Sequence, residues 1–539
     1  IIGEARNPLN RLLVWMYRPL INAVTRFPRS TLLLAVLIVI VGFWPLRQLG
    51  SEFMPDLNEG DLMYMPTTFP GISIGKAQEL LQQTDKLIRT VPEVETVFGK
   101  MGRAETATDP APLTMIETVI RLKPESEWRP GITIDDIKAE LDERVQLPGL
   151  TNAWVWPIKT RIDMLATGIK TPVGIKVAGP DLAVIQDIGA RIETILSDVP
   201  GTASVFAERV AGGRYITVDV LRENASRYGL NVSDVQDVVQ TAIGGMNVTE
   251  TVERLERYPV NLRYPRASRD SLQKLRQLPL VTPRGQTIPL QAVADIRVED
   301  GPPMIKSENA RLNGWVFVDI EKTDVGSYVK AARQAVQGQL ELPPGYSLSW
   351  SGQYEYMERA LQRLQLVIPV TIAVIVLLLF INFRNMTDVM IILGTVPMAL
   401  AGSIWLLYLL DYELSVAVGV GLIALAGVAV ELGVVMLVYL KQAWRAQHEL
   451  AAAEGREFAA ADVRVAVING ALRRVRPIMM TVITIIIGLL PIMLGSGTGS
   501  EVMRRIAAPM VGGMISATIL TLAVLPAMFQ LKQGRAVGR

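Results

Sequence analysis

The chain has 539 residues, of which 50% are hydrophobic and 20% charged, with a formal net charge of +2. So small an excess of positive charge excludes nucleic acid as the main partner, because counterion release needs a concentrated basic face. The absence of cysteine and the single histidine, His448, exclude disulfides, cysteine nucleophiles and zinc sites built from cysteine or from several histidines of one chain.

The first residues, "IIGEARNPLN", hold neither an initiator methionine nor a signal peptide, which predicts a piece of a longer polypeptide. Within 1–28, "PLNRLLVWMYRPLINAVT" alternates basic and apolar residues at helical spacing and predicts an amphipathic helix on the inner membrane surface. Region 29–48 contains an apolar segment (31–47) long enough to cross a bilayer, which takes roughly 20 residues. Five more segments (366–383, 388–410, 415–440, 478–495 and 509–531) cluster within 364–531, giving a bundle of six transmembrane helices.

Basic residues orient these spans. Arg6, Arg11, Arg18, Arg26 and Arg29 precede the first span, and Arg384 follows the second. Lys441, Arg445, Arg456, Arg464, Arg473, Arg474 and Arg476 fill the 441–476 loop, and Lys532, Arg535 and Arg539 the tail at 532–539. All of these share one side if six spans alternate; Arg504 and Arg505 are the exception. The shared side is cytoplasmic, so the large region up to 363 lies in the periplasm of a two-membrane bacterium and the bundle in its inner membrane.

That region is patterned as short strands and amphipathic helices. Residues 61–68, 94–100, 113–123 and 152–158 read as strands, with helices at 73–90 and 133–146 between them. The order βαββαβ predicts a ferredoxin-like, split βαβ subdomain over 49–170. "DVPGTASVFAE" (198–208) echoes "TVPEVETVFGK" (90–100), which predicts a second such α+β subdomain over 171–258, completed by 311–363. Residues 259–310, rich in proline and short strands, form an appended docking portion.

Two constellations bear on chemistry. Glu431 is the only charge in "LIALAGVAVELGVVMLVYL" (422–440). An ionised acid at the bilayer centre costs on the order of 3 kcal/mol on insertion scales, so it should face protein or water. Ala424, Ala426, Gly427, Ala429 and Gly433 let other helices approach closely, which favours a proton relay over a packing anchor. The second constellation is methionine, with 21 residues. Met65 falls in the first strand and Met115 in the third, central neighbours in a split βαβ sheet. Met63 shares the face of Met65, and Met164 lies just past the end of the unit.

Thioether sulfur is a soft, neutral ligand that selects Cu(I) or Ag(I) over Zn(II), although methionine is far more often core filler. Glu59, Asp109, Glu117, Arg161 and Lys170 are candidates for the lining of a cleft leading to these sulfurs. Met390, Met398, Met436, Met479, Met480, Met493, Met510, Met514 and Met528 fall in the spans, chiefly as packing. The sequence shows no phosphate-binding glycine loop, Ser–His pair or paired carboxylates, so it reads as a transporter driven by an ion gradient and not as an enzyme.

Long stretches, "EVETVFGKMGRAETATDPAPL", "RIDMLATGIKTPVGIKV", "RYPVNLRYP", "IALAGVAVELGVVMLVYL" and "GSEVMRRIAAPMVGGM", resemble the C-terminal half of the heavy-metal efflux branch of the RND transporters. The resemblance implies porter and docking subdomains above a membrane bundle. It also implies a proton-driven homotrimer that exports Cu(I) or Ag(I) with a periplasmic adaptor and an outer-membrane channel. The ion is cargo, and no cofactor is implied. The family's three metal-binding methionines map onto Met65, Met115 and Met164, and its intramembrane glutamate onto Glu431. Further methionines map onto Met503 and close to Met246.

There are two departures from the family pattern. A lysine expected after "RVRP" is replaced by Ile478, and the relay's aspartate belongs to an N-terminal half that would have to be supplied as a partner. The alternatives are an RND half for divalent metals or drugs, and a membrane-anchored periplasmic metal-binding fragment that does not transport.

Overall fold

The computed structural model describes residues 8–537 apart from 56, 69, 103–111, 496 and 498. Helices α1 (Pro8–Arg26) and α2 (Pro28–Gly42) open the chain. Pro28 starts the second at a position where its missing N–H has no intrahelical partner to lose. Then follow β1 (Asp61–Tyr64), β2 (Thr67–Thr68), α3 (Ile74–Ile88), β3 (Val94–Met101), β4 (Ile116–Leu122), α4 (Ile134–Arg144), β5 (Leu150–Thr151), β6 (Trp154–Val155) and α5 (Pro157–Thr167).

Four of these strands make a sheet in the order β3-β4-β1-β6. This is the split βαβ order, with the first and third strands as central neighbours. Ser73 caps α3 and a Thr133–Asp136 capping box starts α4. Leu62, Tyr64, Ile120 and Leu122 turn one sheet face onto Ile88, Ile137 and Leu141.

The next stretch contains β7 (Val173–Gly179), α6 (Leu182–Ser197), β8 (Thr202–Ala207), β9 (Gly213–Val220), α7 (Arg222–Arg227), α8 (Val232–Val238), β10 (Met246–Glu253), β11 (Glu256–Leu262), α9 (Leu272–Arg276), β12 (Pro279–Val281), β13 (Thr287–Pro289), β14 (Ala294–Gly301), β15 (Lys306–Glu308), β16 (Arg311–Ile320), α10 (Val325–Gln339) and β17 (Ser347–Gly352). A five-stranded sheet runs β15-β16-β7-β17, with β8 also paired to β16. Its core sets Val173, Ile175, Val177, Val316 and Val318 against Ile185, Ile188 and Ile192 of α6 and Tyr328 and Val329 of α10.

One expectation needs correcting. β9 does not join this second sheet: it pairs over eight residues with β14, from Gly213↔Gly301 to Val220↔Ala294. The two strands share a separate core, in which Ile296 of β14 meets Ala225, Leu230, Val235, Leu275 and Leu290. The third packed unit therefore begins near 213, ahead of the expected 259, while β16 pairs with both β7 and β8 in the second sheet. From this unit the hairpin β10–β11 projects, every one of its strand residues exposed.

The chain ends in α11 (Gln353–Phe383), α12 (Met386–Leu393), α13 (Thr395–Leu409), α14 (Val416–Ala453), α15 (Ala460–Leu494) and α16 (Ser500–Val537). Among the described residues six helical stretches are long and apolar enough to cross a membrane: Pro28–Arg47, Gln353–Phe383, Met386–Leu409, Val416–Ala453, Ala460–Leu494 and Ser500–Gly534. α13, α14 and α15 all pack on α16. The approach of α14 to α16 depends on Gly421, where a Cβ would lie 2.4 Å from the Ile506 carbonyl oxygen. At one end of the bundle the buried carboxylate of Asp388 joins three helices, accepting from Lys441 Nζ at 2.7 Å and Lys532 Nζ at 2.6 Å.

Candidate functional site

The register of the first sheet decides which side chains can meet. β1 opposes β4 with Met63↔Val119 and Tyr64↔Thr118. Met65 is the first residue past β1 and stays paired, its N–H donating to Ala153 O at 2.9 Å. A bridge between Thr67 and Met115, just ahead of β4, continues the register. Directly opposed residues point to the same face and the side-chain period is two. Met63, Met65 and Thr67 therefore share a face with Met115, Glu117 and Val119, opposite to the core formed by Leu62 and Tyr64. Met65 is fully buried, and Met115 and Met164 are half-buried.

Met164 lies on α5, an element that strand and helix patterning missed. The signal is weak because the buried face of α5 is polar, made of Lys159, Thr160, Asp163 and Thr167, while Ile158, Ile162 and Leu165 are exposed. The bounds, in contrast, are legible: Pro157 in the first helical position and Gly168 after the last turn, in the left-handed region (φ +80°) with its N–H on Met164 O at 2.8 Å.

Four of the five charges expected along a cleft converge on this face. Glu59 accepts the N–H groups of Ile158 (2.8 Å) and Lys159 (2.9 Å) at the start of α5. Glu117 is bound by Lys100 Nζ at 2.6 Å and Arg161 at 3.4 Å. Lys170 Nζ donates to Met65 O at 2.8 Å and Thr67 Oγ1 at 2.5 Å. Burial pushes the Lys170 ammonium down to about 8, with the opposed charges of Glu208 and Lys306 as lesser influences. Asp109 lies outside the described residues. The candidates Met246, 43% exposed on the hairpin, and Met503, 47% exposed at the start of α16, stand away from this face.

The second sheet supplies a further wall that sequence reasoning missed. Gly168 packs against Trp315 so closely that a Cβ would lie 2.3 Å from the indole ring. The Lys306 ammonium sits 3.7 Å from that ring's centroid and pairs with Glu208, and Lys176 pairs with Glu308 at 2.8 Å. The available clue was Lys176, alone in the apolar strand "VGIKVAG". Among the described residues no group of three His, Asp or Glu is placed to hold a metal ion.

In the bundle, Glu431 lies on an exposed face of α14 with Val420, Ile423, Ala424 and Gly427. Among the described residues its carboxylate has no side-chain hydrogen bond or ion pair. Ile478 is buried in the bundle core. The two arginines that break the charge bias are both satisfied locally: Arg504 donates to Gly495 O, and Arg505 pairs with Glu52 while lying over the Tyr412 ring.

The model of the AcrB/AcrD/AcrF family matches residues 4–533. The chain is 53% identical over 528 residues to the cation efflux system protein CusA of Escherichia coli (strain K12), covering 98% of this chain and 50% of that protein. It is 34% identical over 533 residues to the cobalt-zinc-cadmium resistance protein CzcA of Cupriavidus metallidurans, covering 97% and 49%. The crystal structure of a heavy metal efflux pump, crystal form II, superposes with a TM-score of 0.85 at 31% identity, covering 97% of this chain and 52% of that one. The chain thus spans about half the length of the curated relatives it matches. It is an inner-membrane protein whose β-rich region is periplasmic. With the match extending over nearly all of its residues, the chain belongs to the AcrB/AcrD/AcrF family, on its heavy-metal efflux side.

Proposed function

We propose that this chain is the C-terminal half of a proton-driven pump that exports Cu(I) or Ag(I). The observation that carries the reading is the shared face of Met65 and Met115, with the helix bearing Met164 fastened beside it. Three neutral, soft sulfurs suit a monovalent soft cation and give zinc or cobalt little to bind. Ions reach this face through the cleft between the two periplasmic sheets and leave outward as the subdomains rock. Met503 and Met246 serve as further thioether stations along the path.

Glu431 takes up and releases the driving protons. Its exposed face, where Ala424 and Gly427 lie beside Val420 and Ile423, fits a partner bundle, the N-terminal half of the same pump, which would remove the carboxylate from lipid. The projecting hairpin, with exposed Val248, Val252, Leu255 and Tyr258, suits burial against a second copy in a homotrimer. A periplasmic adaptor and an outer-membrane channel complete the export path.

The full chain in detergent should bind about one Ag(I) through sulfur, and Met115→Ile should weaken that binding strongly. Equal binding by both proteins removes the three methionines from the mechanism. A second reading, a metal-binding protein that does not transport, is favoured by the buried, apolar Ile478 where the family pattern has a lysine. Silver tolerance of a pump-deleted strain, with and without a co-expressed N-terminal half, separates the two.

A further inference from the structure

We infer that Glu59 and Lys170 are positioning residues, which clasp the two ends of α5 to the strand carrying Met65 and so set the spacing of Met164 from Met65. The inference rests on the proposed thioether site and adds to it how the site is held in shape.

Helices usually dock by burying an apolar stripe, and α5 does not. Ile158, Ile162 and Leu165 point outward at 60%, 57% and 65% exposure, whereas its inward residues are polar. The hydrophobic effect therefore gives α5 little reason to stay on the sheet, and directional bonds must fix it. Midway along the helix Arg161 reaches Glu117 of β4 at 3.4 Å, and two shorter sets hold the ends. Ahead of β1, the Glu59 carboxylate accepts two N–H groups in the first turn of α5, where the helix dipole favours a negative charge. Beyond the other end, Lys170 grips Met65 O and Thr67 Oγ1.

The lengths agree. Eleven helical residues span about 16 Å, and the extended chain from Glu59 to Met65 spans about 20 Å. Strand and helix run in the same direction, so Met65 and Met164 fall towards the same end. The polar atoms of Glu59 that bind main chain are turned to α5, and Lys170 carries positive charge beside a proposed cation site. Neither arrangement suits a group that attracts the ion, and both suit a clasp.

The test uses the full chain in detergent. Because the chain has no cysteine, L165C/V119C accepts spin labels at two exposed positions, one on α5 and one on the methionine face of β4. The spacing between them is read by double electron–electron resonance without metal. E59A and K170M should broaden that distance distribution, and K170R, which keeps a cationic donor, should restore it. With the native methionines, the same two variants should lose roughly 10–100-fold in Ag(I) affinity, the usual effect of removing an outer partner of a metal ligand. X-ray absorption should count fewer sulfur neighbours. Unchanged distances in both variants overturn the clasp, whether or not silver binds. Distances that respond in a protein that binds no silver overturn the thioether site and leave the clasp standing.

Discussion

The guanidinium of Arg505 lies 2.7 Å from the carboxylate of Glu52, across 453 positions of sequence. The pair joins the second turn of α16 to the segment that leads into β1. The same segment is tied on two further sides. Glu52 N donates to Leu414 O at 3.0 Å and Leu414 N to Gly50 O at 2.9 Å, next to the start of α14; Ser51 N donates to Asp324 Oδ2 at 3.0 Å, at the cap of α10. Membrane helices and the cap of α10 thus meet within residues 50–53, on the chain that runs on to β1.

If that joint transmits motion, Arg505→Ala should lower silver tolerance conferred with the N-terminal half while leaving Ag(I) affinity of the purified chain within about twofold. The lost charge-assisted bond is worth roughly 1.5–3 kcal/mol. A parallel fall in affinity would instead show that the arginine supports the metal site itself.

Glu431→Gln keeps the side chain's shape and removes its ability to carry a proton. Metal binding should be unaffected, whereas tolerance in the complemented strain should fall to that of the empty vector. Tolerance at the parental level would make Glu431 a packing residue.

Met115→Ile replaces one apolar side chain with another of similar size, so the fold should change by less than about 1.5 kcal/mol. Calorimetric titration with Ag(I) should nonetheless show a large loss of affinity, because a thioether donor is gone and no polar group replaces it.

Acid should weaken the first periplasmic subdomain through Glu93. Arg129, bound at 2.6 Å, holds the Glu93 carboxyl below the usual carboxylate range. For a carboxylate whose folded value is lowered, the extra stability is complete above its unfolded value near 4.5. It is lost as pH falls through the lowered folded value. Glu93→Gln should therefore remove that portion of the acid sensitivity, and urea unfolding followed across pH 3 to 6, on the order of the window concerned, checks it.

Gly421→Val forces a Cβ into the space held by the Ile506 carbonyl. Overpacking of this kind costs typically about 1–3 kcal/mol. Detergent thermal melts should shift down, and a variant as stable as the parent would mean that α14 and α16 separate without cost.

The membrane helices were legible because long apolar runs have few other solutions, and the first sheet because alternating strands and capped helices point the same way. Met65 and Met115 could be placed on neighbouring strands from that order alone. Their shared face needed the register, which the Thr67–Met115 bridge settles. α5 was hidden by its polar buried side, and Trp315 by a strand whose inward valines dominate the pattern. The pairing of β9 with β14 joins residues far apart in sequence, and local patterning carries no information about such a partner. Glu431 stood out by charge, and among the described residues no side chain pairs with it.

The buried ammonium of Lys170 has one more effect. Coulomb repulsion scales with the charge of the guest, so at the proposed site this ammonium would oppose a doubly charged ion twice as strongly as a singly charged one. Valence discrimination can thus arise from a fixed neighbour that never touches the cargo.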